Sequence, residues 1–478
     1  MAQLRTGDTI AAIATAQGPG AVGIIRISGP EARALAEALF RSSRPGFCGL
    51  KPYRLHHGVL TGSNGRALDE ILAAFMPGPG SFTGEDVAEL FCHGGPAVLR
   101  AVLEELLARG ARLAGPGEFT YRAFKNGKLD LAQAEAIAET IAAPTRAALH
   151  LAQLKLSGAL SARIADLRTR LENLRAKLCL AVDFPDEDIE CLPLPALREE
   201  ALAVGEALAL LLAGVERARA WREGVLAVLA GSVNAGKSSL LNALVGRNRA
   251  LVSATPGTTR DYLEEQLDLS GLLVRLVDTA GLRDSLSGAE ANDLDKPGID
   301  PVEAAGQELA RDFMARAEAV LYVLDASKPL RLLDREALTR LDARRALVVL
   351  NKCDLPGAND ALHETLATVD GLGLASARIS AKTGSGLEEL CDIMRQRLTD
   401  DQREPDPDEI APNARQAQAL TLAHGELLSL ADETEAALPY DILGLRLDAA
   451  CRALSELTGD IAPDEVLNAI FSRFCIGK

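Results

Sequence analysis

A chain of 478 residues is long enough for about three domains, and 48% hydrophobic residues suffice for sizeable cores. A net charge of −16 argues against indiscriminate nucleic-acid binding. No uninterrupted apolar run is long enough for a membrane span. The charge is uneven: residues 1–130 hold 14 Lys and Arg against 12 Asp and Glu, a net of +2, leaving −18 for the rest. The N-terminal part is therefore the less hostile to a polyanion. The eight cysteines form no CxxC pair and no cluster at zinc spacing, and residues 1–8 lack the charged-then-apolar build of a signal peptide. Reduced thiols in a cytoplasmic protein are the expectation.

Residues 1–128 are rich in Gly and Pro, with alternating apolar segments such as 22–27 and 87–91. Turn signals at Pro77–Gly80 and Gly115–Gly117 complete the pattern of a mixed α/β domain. From residue 129 the texture becomes helical: 131–141 is amphipathic, and the period resumes after Pro144 to about 182. The acidic stretch 183–190 breaks it, and a further helical run covers about 196–220.

Residues 231–238, Gly-Ser-Val-Asn-Ala-Gly-Lys-Ser, fit the phosphate-cradling pattern G-x-x-x-x-G-K-[ST]. A buried-strand pattern at 225–230 precedes them and a helical period at 239–245 follows. Strand, loop and helix aim backbone N–H groups and a helix N-terminus at one point, which suits a polyphosphate. Asn234, Ala235, Gly236, Lys237, Ser238 and Ser239 would line it, with Lys237 on the β/γ-phosphates and the Ser238 hydroxyl on Mg²⁺. After the strand-like 272–277 comes Asp278-Thr279-Ala280-Gly281, where Asp278 would hold Mg²⁺ through water and Gly281 would sense the γ-phosphate. After 346–350 comes Asn351-Lys352-Cys353-Asp354. The Asp354 carboxylate can accept from N1–H and the exocyclic amine of guanine, a donor pair that adenine lacks. Ser380-Ala381-Lys382 resembles the loop whose backbone N–H meets guanine O6. Four motifs in order, each at a strand end, identify a GTPase domain over roughly 223–399.

In Ras-like GTPases a glutamine directly after D-x-x-G orients the attacking water. Here that position is Leu282, which cannot. Either this domain hydrolyses poorly or it recruits another group. Asn234 can ligate a cation, and the switch candidate Ser253-Ala254-Thr255-Pro256-Gly257-Thr258-Thr259-Arg260-Asp261 clusters hydroxyls and carbonyls. A bound monovalent cation would then supply the charge of an arginine finger. Alternatively, Asn234 only caps the loop and the Ser and Thr residues are turn formers.

Past the GTPase, 400–409 is a charged, Pro-broken linker, and helical texture returns from about 412 to the end. One helical domain interrupted by the GTPase is favoured over two, because some 65 helical residues make a small core alone. The expected fold is therefore multidomain α/β plus all-α: an α/β domain (1–128), a helical domain (129–222 and 400–478) and a Ras-like P-loop GTPase domain (223–399) inserted into it.

Taken together, the chain resembles the tRNA modification GTPases of the MnmE (TrmE) type, among the potassium-activated TrmE–Era-like GTPases. The likeness rests on Ala21–Gly29, Ser81–Val87, Cys92–Pro96, Pro116–Phe119, Asn126–Ala136, Val233–Leu240, Pro256–Asp261, Asp278–Arg283 and the terminal Phe474-Cys475-Ile476-Gly477-Lys478. It implies a tetrahydrofolate-binding, homodimerising N-terminal domain, with Arg26, Glu89, Lys128 and Lys478 as folate contacts. The ligand would be 5,10-methylene-tetrahydrofolate, with 5-formyl-tetrahydrofolate as a stable analogue. From the residues alone, Arg26 in an apolar strand reads as an edge or interface arginine. The resemblance further implies Asn234, Ser253, Thr255 and Thr258 as K⁺ ligands and Ser238 with Thr259 as Mg²⁺ ligands. Glu303 would be the water-positioning glutamate, and Cys475 would serve the modification chemistry. An added acidic loop, 285–300, leaves Glu290 and Glu308 as rivals to Glu303. Cys475 is also readable as an idle tail cysteine, and poorly as a prenylation site.

The implied activity is GTP hydrolysis coupled to addition of a carboxymethylaminomethyl or aminomethyl group to C5 of the wobble uridine, U34, of certain tRNAs. The implied partner is the FAD-dependent protein MnmG (GidA), in a heterotetramer, with no membrane involved. An Era- or Der-like ribosome-assembly switch is the alternative, as is a regulatory GTPase without chemistry of its own.

Overall fold

A computed structural model describes residues 5–183, 193–232, 234–248, 264–278, 312–356, 358–399, 406 and 408–478. The N-terminal part consists of β1 (Ile10–Ile13), β2 (Val22–Ser28), α1 (Ala32–Leu39), β3 (Phe40–Ser42), β4 (His56–Thr61), β5 (Ala67–Met76), β6 (Val87–His93), α2 (Pro96–Ala108), β7 (Arg112–Leu113) and α3 (Glu118–Lys125). Its seven-stranded sheet runs β3-β4-β5-β6-β2-β1-β7. Period-two alternation decides which side chains meet the core. Ile25 and Ile27 join Leu90 and Cys92 in a buried cluster with Leu99 and Val102 of α2. Gly23 lets that helix sit on the strand: a Cβ there would stand 2.5 Å from Leu99 Cδ1. The intervening Arg26 faces the other side. Because β2 lies between β6 and β1, Arg26 is on an interior strand, which corrects the edge reading.

Four helices follow: α4 (Leu131–Ala142), α5 (Arg146–Leu156), α6 (Ala159–Asp183) and α7 (Leu194–Glu223). Then comes a second sheet with β8 (Val225–Gly231), α8 (Lys237–Asn248), β9 (Glu264–Leu269), β10 (Leu272–Asp278), β11 (Ala319–Asp325), α9 (Leu332–Leu338), β12 (Ala346–Asn351), α10 (Ala358–Gly371), β13 (Ala375–Arg378) and α11 (Leu387–Thr399). The strand order is β13-β12-β11-β8-β10-β9, with only β9 antiparallel. All residues of β12 are buried and nearly all of β8 and β11, as the continuous apolar runs require of a sheet covered on both faces. Strand order reverses at β8, so the crevice at its carboxyl end is where such sheets bind ligands.

The chain ends with α12 (Ala414–Glu435), α13 (Tyr440–Thr458) and α14 (Asp464–Phe471). Along α6, Leu160, Ile164, Leu167, Leu171, Leu174 and Leu178 are buried. Their spacing alternates four and three, which keeps one seam facing a neighbouring helix. That neighbour is α13, with Leu443, Leu447, Ala450, Leu454 and Leu457 buried, and α12 packs against it in turn. The helical texture does not run to the end as read from sequence: residues after Phe471 leave the helix, and Ile476 bridges Pro116 as a strand does.

The described residues of Met1–Ile141, Lys155–Ala209 and Ala414–Lys478 form one compact unit; those of Ala142–Leu154 and Leu210–Asn413 form another. The cuts fall at the end of α4, inside α5 and α7, and just before α12. The C-terminal helices thus share a core with α6, and the GTPase-like sheet is an insertion into a helical domain.

Candidate functional site

The nucleotide-type site lies at the carboxyl ends of β8, β10 and β12. Gly231 ends β8 at φ +128, where a Cβ would lie 2.2 Å from Val323 O of the adjacent strand. Asn234 (φ +64) and Gly236 (φ +93) carry the loop through left-handed backbone, which Asn and Gly tolerate best. This gives Asn234 a conformational reason for its place, independent of any cation. The buried Lys237 folds back, its Nζ donating to Gly231 O and Ser232 O, both at 2.9 Å. Ser238 Oγ donates to Asp278 Oδ2 at 3.0 Å, bringing two sequence-predicted oxygen donors together at the first turn of α8.

Asn351, 2% exposed, ties the motifs to one another. Its Nδ2 donates to Ala235 O at 2.9 Å, and its Oδ1 accepts from Lys352 N at 2.8 Å and Ala381 N at 3.0 Å. Lys352 crosses the loop and donates to Asn234 O at 2.6 Å and Asp325 Oδ2 at 2.8 Å. Asp354 Oδ1 accepts from Ser380 Oγ at 2.7 Å, so the carboxylate expected to read guanine is joined to the loop of Ser380, Ala381 and Lys382.

Sequence reasoning missed Asp325. Burial raises its affinity for a proton, but Lys352 and Ser327 outweigh that and hold the carboxyl below its ordinary range. The signal was present: like Asp278 and Asn351, Asp325 is the polar end of an apolar strand.

A second cluster surrounds Arg26. Arg26 Nε donates to Glu89 Oε1 at 2.8 Å across the β2–β6 register, and Nη1 donates to Gly477 O at 3.4 Å. Its guanidinium lies 5.7 Å from the ring centroid of Phe82 and 5.8 Å from that of Phe119. Both aromatics lie in stretches that carry the family resemblance, but neither was singled out as a site residue. The tail is held by backbone bonds from Gly117 N to Cys475 O (3.5 Å) and from Phe119 N to Lys478 O (3.2 Å). Gly117, at φ +65, is needed there, because a Cβ would stand 2.7 Å from Phe471 O. Burial, then the nearby Arg26 charge, lower the affinity of Lys478 for its proton. The Lys128 Nζ donates to Pro79 O at 3.0 Å, on the loop that carries Phe82. Cys475 is exposed.

The sequence matches the MnmE helical domain over residues 131–475 and the N-terminus of the GTP-binding protein TrmE over residues 9–128. It is 49% identical to the tRNA modification GTPase MnmE of Nitratidesulfovibrio vulgaris strain Hildenborough, over 98% of this chain and 99% of that protein. It is 43% identical to the same-named protein of Lawsonia intracellularis, over 98% of this chain and all of that one, and 40% identical to that of Geobacter sulfurreducens, over 98% and 99%. The chain belongs to the MnmE family. The resemblance drawn from the motifs therefore holds over the whole length, and the Era- or Der-like alternative gains nothing from it.

Several residues that the MnmE resemblance singles out lie outside the described residues: Ser253, Ala254, Thr255, Pro256, Gly257, Thr258, Thr259, Thr279, Ala280, Gly281, Leu282, Glu290, Glu303, Glu308 and the loop 285–300. Of the MnmE-type cation ligands, Asn234 and Ser238 are described. Among the described residues, no helix is long and apolar enough to cross a membrane.

Proposed function

We propose that this chain is a GTP hydrolase of tRNA modification. The observation that carries the reading is its end-to-end likeness to curated MnmE proteins, 49% identical over 473 residues, combined with the convergence of four nucleotide motifs at one sheet edge. In this reading the phosphate loop and α8 bind the polyphosphate, and Lys237 leaves Gly231 O and Ser232 O for the phosphates. Ser238 and Asp278, an oxygen pair suited to a hard cation, would hold Mg²⁺ with Thr259. Asp354 and the Ala381 backbone read guanine. K⁺ on Asn234, Ser253, Thr255 and Thr258 would supply transition-state charge in place of the missing glutamine, with Glu303 positioning water.

The N-terminal domain would take methylene-tetrahydrofolate at Arg26, Glu89, Lys128 and Lys478. The Arg26 guanidinium beside the rings of Phe82 and Phe119 suits a flat heterocycle with a carboxylate tail. Bound there, the folate supplies a one-carbon unit at the oxidation level of formaldehyde. The chain's own residues hold and orient it, and Cys475 stands at the same tail. A homodimer acting in the cytoplasm with an FAD-dependent partner of the MnmG type would modify C5 of wobble uridine 34. GTP hydrolysis would drive closing and opening of paired GTPase domains. The division into 1–128, 129–222, 223–399 and 400–478 goes with this reading.

Deleting the gene and analysing tRNA nucleosides tests it. Loss of the C5 modification on wobble uridines is expected; full modification without the chain would overturn the reading.

A further inference from the structure

Asp334, 5% exposed in the first turn of α9, has no cationic partner among the described residues. A single oxygen, Oδ1, accepts from the Ser232 hydroxyl and, at 2.9 Å, from Tyr322 OH. A buried carboxylate held only by hydroxyls is costly, so it stays where it does something an apolar residue would not. What it grips is the phosphate loop. Ser232 is the first residue after Gly231, its carbonyl is one of the two acceptors of Lys237, and Asn234 and Gly236 turn sharply just beyond it. Tyr322 is an interior residue of β11, paired with Ala230 of β8, so the anchor is the rigid sheet. An open space of about 30 Å³, room for a water, lies between Ser232, Ala235, Leu324, Asp325 and Asp334, with Lys328 and Arg331 also on its lining. Beside that space, hydrogen bonds through Asp334 join the start of the loop to β11.

We propose that Asp334 is a positioning residue for nucleotide binding, clamping Ser232 to β11 so that the phosphate loop is held in its binding conformation before GTP arrives. The proposal rests on the GTPase reading above. Without the clamp the loop opens to other conformations, and apparent affinity falls with the competent fraction. The loss belongs to KM and not to kcat, because Asp334 acts through the Ser232 hydroxyl and not on the reacting atoms.

The test is a double-mutant cycle on the full chain: Ser232→Ala, Asp334→Ala, the pair together, and Asp334→Asn. Readouts are fluorescent GTP-analogue binding, KM and kcat, with melting curves for folding. Each alanine variant should bind about tenfold more weakly, a free-energy change of about 1.4 kcal/mol. The double variant should be no weaker than the weaker single, since both remove the Ser232–Asp334 bond. Asp334→Asn keeps an acceptor oxygen and should bind within about threefold of wild type. Unchanged affinity in the singles, or strictly additive losses, overturns the clamp. Should Asp334→Ala fail to fold, Ser232→Ala and Asp334→Asn decide the matter. If the wild type itself binds no GTP, the GTPase reading falls instead.

Discussion

Replacing Gly236 by alanine perturbs the phosphate loop at its tightest point. The backbone there has φ +93, and a Cβ would stand 2.4 Å from Asn351 Nδ2. Holding an L-residue in that region costs about 1–2 kcal/mol. The contact also drives the Asn351 amide off Ala235 O, and a buried donor left unmade costs about 1–3 kcal/mol. Together the binding-competent loop loses about 2–5 kcal/mol, which corresponds to GTP binding weaker by roughly 30-fold to several thousand-fold. Fluorescent nucleotide titration measures the loss, and a melting curve separates it from general unfolding. A variant that binds within about threefold of wild type and melts like it would refute the claim that Gly236 and Asn351 lock the loop together.

Three further outcomes are expected. Hydrolysis should run several-fold faster in K⁺ than in Na⁺ at equal ionic strength; equal rates would remove the cation role from Asn234 and Thr255. Cys475→Ser should abolish wobble-uridine modification while steady-state GTP hydrolysis stays intact, and surviving modification would make the tail cysteine idle. Acid should weaken the N-terminal unit through Asp8, which Arg112, chiefly by hydrogen bonding, and then Arg122 hold at a pKa of about 2 against an ordinary 3.8. A depressed carboxylate contributes stability fully present above its unfolded value and lost as pH falls through the folded one, so melting temperature should drop between about pH 4 and pH 2. Asp8 is 40% exposed, so the effect is modest, and Asp8→Asn should flatten that limb of the profile.

The nucleotide site was legible in the amino acids because its geometry is local. An apolar run wide enough to be buried on both faces, a Gly-rich turn and a helical period leave Lys237 and Ser238 little choice of place. Asp278 and Asn351 each end such a run, Asp354 comes three residues after Asn351, and parallel strands bring their carboxyl ends to one edge. The same logic makes the α6 seam readable from leucines spaced four and three apart. Long-range pairings carry no such periodicity. Nothing near Arg26 announces that Gly477, 451 residues on, accepts from its guanidinium, or that Phe82 and Phe119 flank it. Nor does any motif mark Asp334, 102 residues past Ser232, as the clamp on its hydroxyl.

The sequence by itself thus determined which polar motifs close the apolar strands and that a helical domain is interrupted by a GTPase. Only the tertiary structure decided that the Cys475–Lys478 tail is pinned by the backbone of Gly117 and Phe119 beside β2, and that the phosphate loop is tied to β11. The reason is physical. Backbone periodicity and turn chemistry act over a few residues and are written in adjacent letters. A buried carboxylate or a docked tail is satisfied by whichever donor the packed chain brings within 3 Å, and sequence separation places no limit on that choice.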